Sequence, residues 1–317
     1  MKKKLLSLAL VAAMLVTLLA AFTSCGSNTY TVGICQLAQH PALDAATQGF
    51  KDALIEELGE GNVTFLEQNA SGESATCATI VTDFVSKKVD LIMANATPAL
   101  QAAANATETI PILGTSVTEY GVALGIANFS GTVGGNISGT SDLASLSEQA
   151  QMLCDLFPTA ARVGLLFCSA EANSRYQVDV VKAALEAAGK TCTEFAFSDS
   201  NDVAAVAASA AAQSDVIYIP TDNTAASCAE TINGAIGNTP VIAGEEGICS
   251  GCGVATLSIS YYDLGVKTGK MAAKILRGEA KVGEMAIEYA PATKKYNAAK
   301  CTELGITVPS DYVAIGE

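Results

Sequence analysis

The chain has 317 residues, half of them hydrophobic, with no tryptophan and a formal net charge of −14. That acidity excludes nucleic acid as a partner, because phosphate contacts need clustered Lys and Arg. The apolar content excludes a disordered chain, and the length supports two modest lobes or one large domain.

Lys2, Lys3 and Lys4 open the sequence, and an apolar run from Leu5 to Ala21 follows, stopping at Phe22, Thr23, Ser24 and Cys25. This is the anatomy of a secretory signal, with small residues directly before a cysteine. Cleavage after residue 24 would make Cys25 the lipidated first residue, holding the mature chain outside a cell membrane through a linker of residues 25–29. The run is near the length of a membrane span, so an uncleaved anchor is the rival reading.

From residue 30 strands and helices alternate. "TVGICQLAQHPALDAATQGF" from Thr31 reads as a strand and then a helix, with Leu43, Phe50, Leu54 and Leu58 on one face before Gly59. "DLIMANATPALQAA" from Asp90 and "IPILGTSVTE" from Ile110 supply two more strands. The same three units then recur as "RVGLLFCSAEANSRYQVDVV" from Arg162, "DVIYIPTDNTAASC" from Asp215 and "TPVIAGEEGI" from Thr239. Val178, Val181, Leu185 and Ala188 share one face of the helix in the first of these. Continuous apolar strands alternating with helices predict parallel sheets covered on both faces, hence two similar α/β lobes.

"YYDLGVKTGKMAAKILRG" from Tyr261 is amphipathic, with Leu264, Thr268, Met271, Ala272 and Ile275 on one side. A helix placed after both repeats is expected if the chain returns to the first lobe. Crossovers are expected at Gly135 to Asp142, through the connector "ATLSIS" from Ala255, and near Pro291. They divide the chain into one lobe of residues 30–140 and 258–288 and another of residues 141–257 and 289–317.

Ligands of open parallel sheets bind beyond the carboxyl ends of the strands. Six loops should therefore converge on a cleft: Gln36 to Asp44, Asn95 to Pro98, Gly114 to Thr118, Cys168 to Ser174, Pro220 to Asn223 and Gly244 to Gly247. Candidate site residues on them are Gln36, His40, Asp44, Thr97, Ser116 and Thr118 in the first lobe. The second lobe offers Ser169, Asn173, Ser174, Thr221, Asp222, Asn223, Glu245 and Glu246.

Catalytic chemistry has no foothold in this pattern. Among ten cysteines the one close pair is Cys249 and Cys252, and a zinc site would need a second pair, since His40 is the sole histidine. A local disulfide between these two stays open, while most of the others fall in apolar runs and read as small buried hydrophobes. There is no nucleophile elbow, P-loop or glycine fingerprint, so neither an enzyme nor a cofactor or metal is expected.

Six ordered motifs, "QLAQHPALDAATQGF", "ATPALQA", "SAEANS", "PTDNTAAS", "VIAGEEG" and "YYDLGVKTGKMAAKILRG", lie behind a lipoprotein-like signal. Together they resemble type I periplasmic-binding-fold solute receptors of ABC importers, and within these the subgroup for tryptophan or tyrosine uptake. The pattern departs at "GICSGCG", where the cysteines are unusual, and at "KKYNAAKCTELG", where a more apolar strand is expected. The resemblance implies two lobes joined by a three-segment hinge, in an extracytoplasmic monomer that passes a zwitterionic ligand, an aromatic L-amino acid, to permease and ATPase subunits.

For such a ligand, Thr97 as N-cap before Pro98, with the hydroxyls of Ser116 and Thr118, would receive the carboxylate. An acid of the second lobe would meet the ammonium: Glu245 or Glu246, with Asp222 competing. His40 would stack on an aromatic ligand, donate a hydrogen bond or only order the turn before Pro41, and Tyr261 and Tyr262 read as hinge packing. A sugar receptor of the same fold and a ligand-sensing ectodomain of a signalling system are the alternatives.

Overall fold

The computed structural model describes residues 29–316. Cys25 and the apolar leader lie outside them. Strands β1 (Tyr30–Gln36), β2 (Val63–Asn69), β3 (Leu91–Asn95), β4 (Ile112–Val117) and β5 (Ile137–Ser141) form a parallel sheet in the order β5-β4-β3-β1-β2. Strands β6 (Arg162–Cys168), β7 (Thr191–Phe197), β8 (Val216–Ile219), β9 (Val241–Ala243) and β10 (Ala255–Ile259) repeat that order as β10-β9-β8-β6-β7. The central strands are buried along their whole length, as their unbroken apolar runs require.

The segment "ATLSIS", read above as a connector, is mostly strand β10, fully buried in the second sheet. The chain changes lobe after β5, again at Ser260, and a third time between β11 (Glu288–Tyr289), which joins the first sheet, and β12 (Ala292–Tyr296), which joins the second. Strand β12 runs antiparallel to β10 and pairs with the two-residue strand β13 (Val313–Ala314). It lies one strand from the sheet edge and is only half-buried, so it accommodates Lys294 and Lys295 in place of the more apolar strand expected there. Their ammonium groups reach Asp311 and Glu246.

Helix α1 (Pro41–Leu58) buries Leu43, Phe50 and Leu54 against the first sheet. Helix α11 (Tyr261–Leu276) returns to that lobe and packs directly on α1. Small residues make this approach possible: a Cβ on Gly265 would meet the Ala46 carbonyl, and one on Gly49 the Tyr262 carbonyl. A segment that follows the whole second repeat in sequence thus completes the helical cover of the first lobe.

Candidate ligand-binding cleft

The carboxyl ends of the two sheets face each other, and the lobes touch there. His40 Nε2, in the loop after β1, lies 3.4 Å from Asn223 Oδ1 at the start of α8 (Asn223–Ser227). Interlobe cavities flank His40 along the chain. One of about 620 Å³ is lined by Leu37, Ala38 and Gln39 with Glu171 and Asn223, and another of about 500 Å³ by Pro41, Ala42 and Ala45 with Glu245 and Tyr261.

Two backbone irregularities shape the first-lobe wall. Ala96, with φ of 95°, is the N-cap of α3 (Thr97–Ala106) and gives that helix no side-chain cap. Its leading N–H groups are left for a partner from the cleft. Ser116, with φ of 54°, sits where the β4 to β5 register shifts between Gly114 and Val117, a bulge that redirects its side chain. Non-glycine residues held at positive φ are strained, and such strain gathers at binding sites. Thr97 is the first helical residue rather than the cap expected from its place before Pro98, so its hydroxyl is not committed to closing its own helix.

Hydrogen-bond accounting picks out the atoms that await a partner. Buried polar side-chain atoms nearly always have one. Among the described residues nine do not, and five of these sit on the loops at the cleft: His40 Nδ1, Asn95 Oδ1, Ser116 Oγ, Asp142 Oδ1 and Asn173 Oδ1. Each is held in place by its other bonds. Asn95 Nδ2 donates to the Leu43 carbonyl at 2.8 Å and to Thr47 Oγ1 at 2.9 Å, and Asn173 Nδ2 donates to the Thr221 carbonyl at 3.1 Å. Tyr261, the first residue of α11, donates its hydroxyl to Asp142 Oδ2 at 2.9 Å.

Four carboxylates, Asp142, Glu171, Asp222 and Glu245, are at most 4% exposed and form no ion pair among the described residues. Burial pushes Asp142 up to about 6, although the hydroxyls of Tyr261 and Thr118 favour its ionised form. Burial likewise pushes Glu245 up to about 7 against two backbone amides, and burial together with the Glu171 carboxylate raises Asp222.

Three of the four are already committed. Glu245 is the N-cap of α10 (Glu246–Cys252), and its oxygens accept the amides of Gly247, at 2.7 Å, and Ile248. Asp222 accepts the amides of Cys168 at 2.6 Å and Ala225 at 2.8 Å, and Ser174 adds its hydroxyl. Glu171 accepts from the amides and side chains of both Asn223 and Thr224. Asp142 alone keeps a buried oxygen, Oδ1, with no hydrogen bond, the Thr118 hydroxyl lying near the carboxylate without closing one.

Other predicted residues have different surroundings. Glu246 turns to Lys295 at 2.5 Å. Asp44 is exposed and accepts from Gln36 Nε2 at 2.6 Å, and both line a shallow surface recess with Lys51 and Glu67. Ser169 is exposed and bonds the Phe197 carbonyl, while the Thr221 hydroxyl bonds the Gly244 carbonyl. Cys249 and Cys252, buried on α10, are free thiols like the other cysteines among the described residues.

A family model described as ABC transporter substrate binding protein matches residues 31–315. The chain belongs to that family. It is 37% identical over 261 residues to a tyrosine-binding protein of Clostridioides difficile (strain R20291), covering 81% of this chain and 75% of the relative. A Streptococcus pneumonia ABC domain in complex with L-Trp superposes with a TM-score of 0.84 at 31% identity, over 89% of this chain and 96% of its own. The ligand-free, open structure of a substrate binding protein with adhesive properties from Clostridium difficile is 36% identical, over 90% and 99% of the two chains, yet gives a TM-score of 0.68. This substrate binding protein thus matches the complex better than the open form despite the lower identity, in keeping with lobes that touch at His40 and Asn223.

Sequence reasoning passed over Asp142, Asn95 and Glu171. In the sequence Asp142 reads as part of a crossover and Tyr261 as hinge packing. The available signal was an acid directly after a buried strand, at the same carboxyl edge as the six loops.

Proposed function

We propose that this substrate binding protein is an extracytoplasmic, lipid-anchored receptor that closes on an aromatic L-amino acid and delivers it to an ABC importer. The observation that carries the reading is the set of unpartnered buried atoms that both lobes contribute near the carboxyl ends of their strands, an oxygen of the unpaired Asp142 carboxylate among them. Asp142 Oδ1 and the oxygens of Asn95 and Asn173 suit an ammonium. Ser116 Oγ, Thr97 and the open N-terminus of α3 suit a carboxylate. The tyrosine-binding relative and the tryptophan-bound neighbour support the aromatic class.

A thermal-shift screen of the twenty amino acids and simple sugars tests it. A ligand at one hundred times its dissociation constant should stabilise by about 2.7 kcal/mol. Tyrosine and tryptophan are expected to shift the protein most, and a shift with sugars alone overturns the reading. Replacing Cys25 by Ala should release soluble protein with unchanged affinity, whereas retention in the membrane would favour an uncleaved anchor.

A further inference from the structure

The sequence leaves His40 as a stacking surface, a donor or a residue that only orders the turn before Pro41, and its neighbours give it another role. The Glu171 carboxylate accepts the Asn223 backbone amide at 3.1 Å and Asn223 Nδ2 at 2.6 Å. A carboxylate can only accept from an amide, so the Asn223 NH₂ is fixed towards Glu171 and Oδ1 towards His40. An amide oxygen has no proton to give. Nε2 of His40 therefore carries the hydrogen in their 3.4 Å contact.

Burial lowers the basicity of the ring despite the nearby carboxylates of Glu171 and Asp44, and so keeps it neutral. A neutral ring protonated at Nε2 has a lone pair at Nδ1. That atom is buried and without a partner, and although His40 is the N-cap of α1 its side chain makes no capping bond.

We propose that His40 is a specificity-determining residue, presenting Nδ1 to the closed cleft as a fixed acceptor and favouring ligands whose side chain carries an O–H or N–H donor. The inference rests on the amino-acid reading above. The phenol of tyrosine and the indole of tryptophan supply such a donor, and phenylalanine offers a similar ring without one. A site built around a hydrogen bond discriminates strongly against the analogue that lacks it, because the buried acceptor stays unsatisfied.

His40 is the chain's only histidine, so its imidazole ¹⁵N signals in untagged protein need no assignment. The free protein should show Nε2 protonated and Nδ1 bare. Tyrosine or tryptophan should move the Nδ1 signal towards the hydrogen-bonded range, while phenylalanine should not.

In calorimetry the parent should bind the better of tyrosine and tryptophan at least about tenfold tighter than phenylalanine. His40→Gln keeps a donor for Asn223 but removes the acceptor at Nδ1, and should narrow that ratio to about twofold. Equal affinities in the parent, or an equal loss for all three ligands in His40→Gln, would overturn the proposal while leaving an amino-acid receptor in place. If no amino acid moves either the unfolding temperature or the histidine signals, both readings fall.

Discussion

The buried acids on the second-lobe loops and the one acid that directly follows β5 look alike by burial and charge. Asp142, Glu171, Asp222 and Glu245 are all desolvated, and no cation among the described residues pairs with them. They differ in what their oxygens do. The three second-lobe acids fasten loop and helix ends by accepting amides, whereas Asp142 is steadied through Oδ2 and leaves Oδ1 open. A buried carboxylate becomes a candidate for ligand binding when its lone pairs are uncommitted, not when its pKa is raised.

Removing the charge at Asp142 is the strongest test of that distinction. In Asp142→Asn the Tyr261 contact can persist through the amide oxygen, but a bound ammonium loses its desolvated counter-charge. The expected loss is about 2 to 5 kcal/mol of binding, at least thirtyfold, with the fold intact. Calorimetric titration with tyrosine checks it, and parent-like affinity would remove Asp142 from the site.

Glu245→Gln should invert the pattern. The amide keeps one acceptor for α10 and sets an NH₂ against the other backbone donor, so stability should fall by about 1 to 2 kcal/mol. Affinity should change by less than about fivefold, less than any lost buried charge pair would give. A Glu245→Gln variant that unfolds like the parent but cannot bind would restore Glu245 as the ammonium partner.

Acidity separates the two regions through linkage. Folded values of about 6 for Asp142 and about 7 for Glu245 lie above those of an unfolded chain, so the folded state holds extra protons in between. Their contribution to stability is full below about pH 4 and is lost as pH rises through 6 to 7, by about 1.4 kcal/mol per unit for each group titrating. The acids held low, Asp215 and Glu194 at about 2, act only under more acidic conditions. The ligand-free protein should therefore melt higher at pH 5 than at pH 8. The shift produced by tyrosine should run the other way, because the ammonium needs ionised Asp142. Melting curves across this range with and without tyrosine decide it, and a flat ligand-free profile would argue against buried acids at the cleft.

The architecture was legible because apolar strand runs, glycine stops and repeated βα units are local features of the chain. The shared strand order and the return of α11 to α1 both follow from that patterning. The cleft loops were legible too, since topology alone puts them at the carboxyl edge. What could not be read was the direction of individual lone pairs. "GEEG" draws the eye as a ligand acid, yet the chain folds Glu245 back onto Gly247 and Ile248, a capping geometry that depends on where the helix begins. Asp44 sits in a predicted cleft loop but on the outer face of α1, where it faces solvent. Asn95 and Asp142 show nothing unusual in sequence, because their open oxygens are defined only by partners distant in the chain: Leu43 and Thr47 for one, Tyr261 for the other.

Glu246 supplies the smallest expected effect and the control for the others. It follows Glu245 directly, yet its carboxylate is paired with Lys295 on β12 at the wall of the smaller interlobe cavity, with the two side chains 31% and 25% exposed. A partly solvated pair of this kind contributes at most about 1 kcal/mol, and an acid in the first turn of α10 adds a few tenths more through the helix dipole. Glu246→Gln removes both and creates no buried unpaired charge, since Lys295 can turn to water. Stability should drop by no more than about 1 kcal/mol and tyrosine affinity should stay within about twofold of the parent. Denaturant unfolding and calorimetry on this variant measure the two together. A loss of affinity beyond tenfold would mean that Glu246 turns from Lys295 to the ligand, and that the open oxygen of Asp142 is not what receives the ammonium.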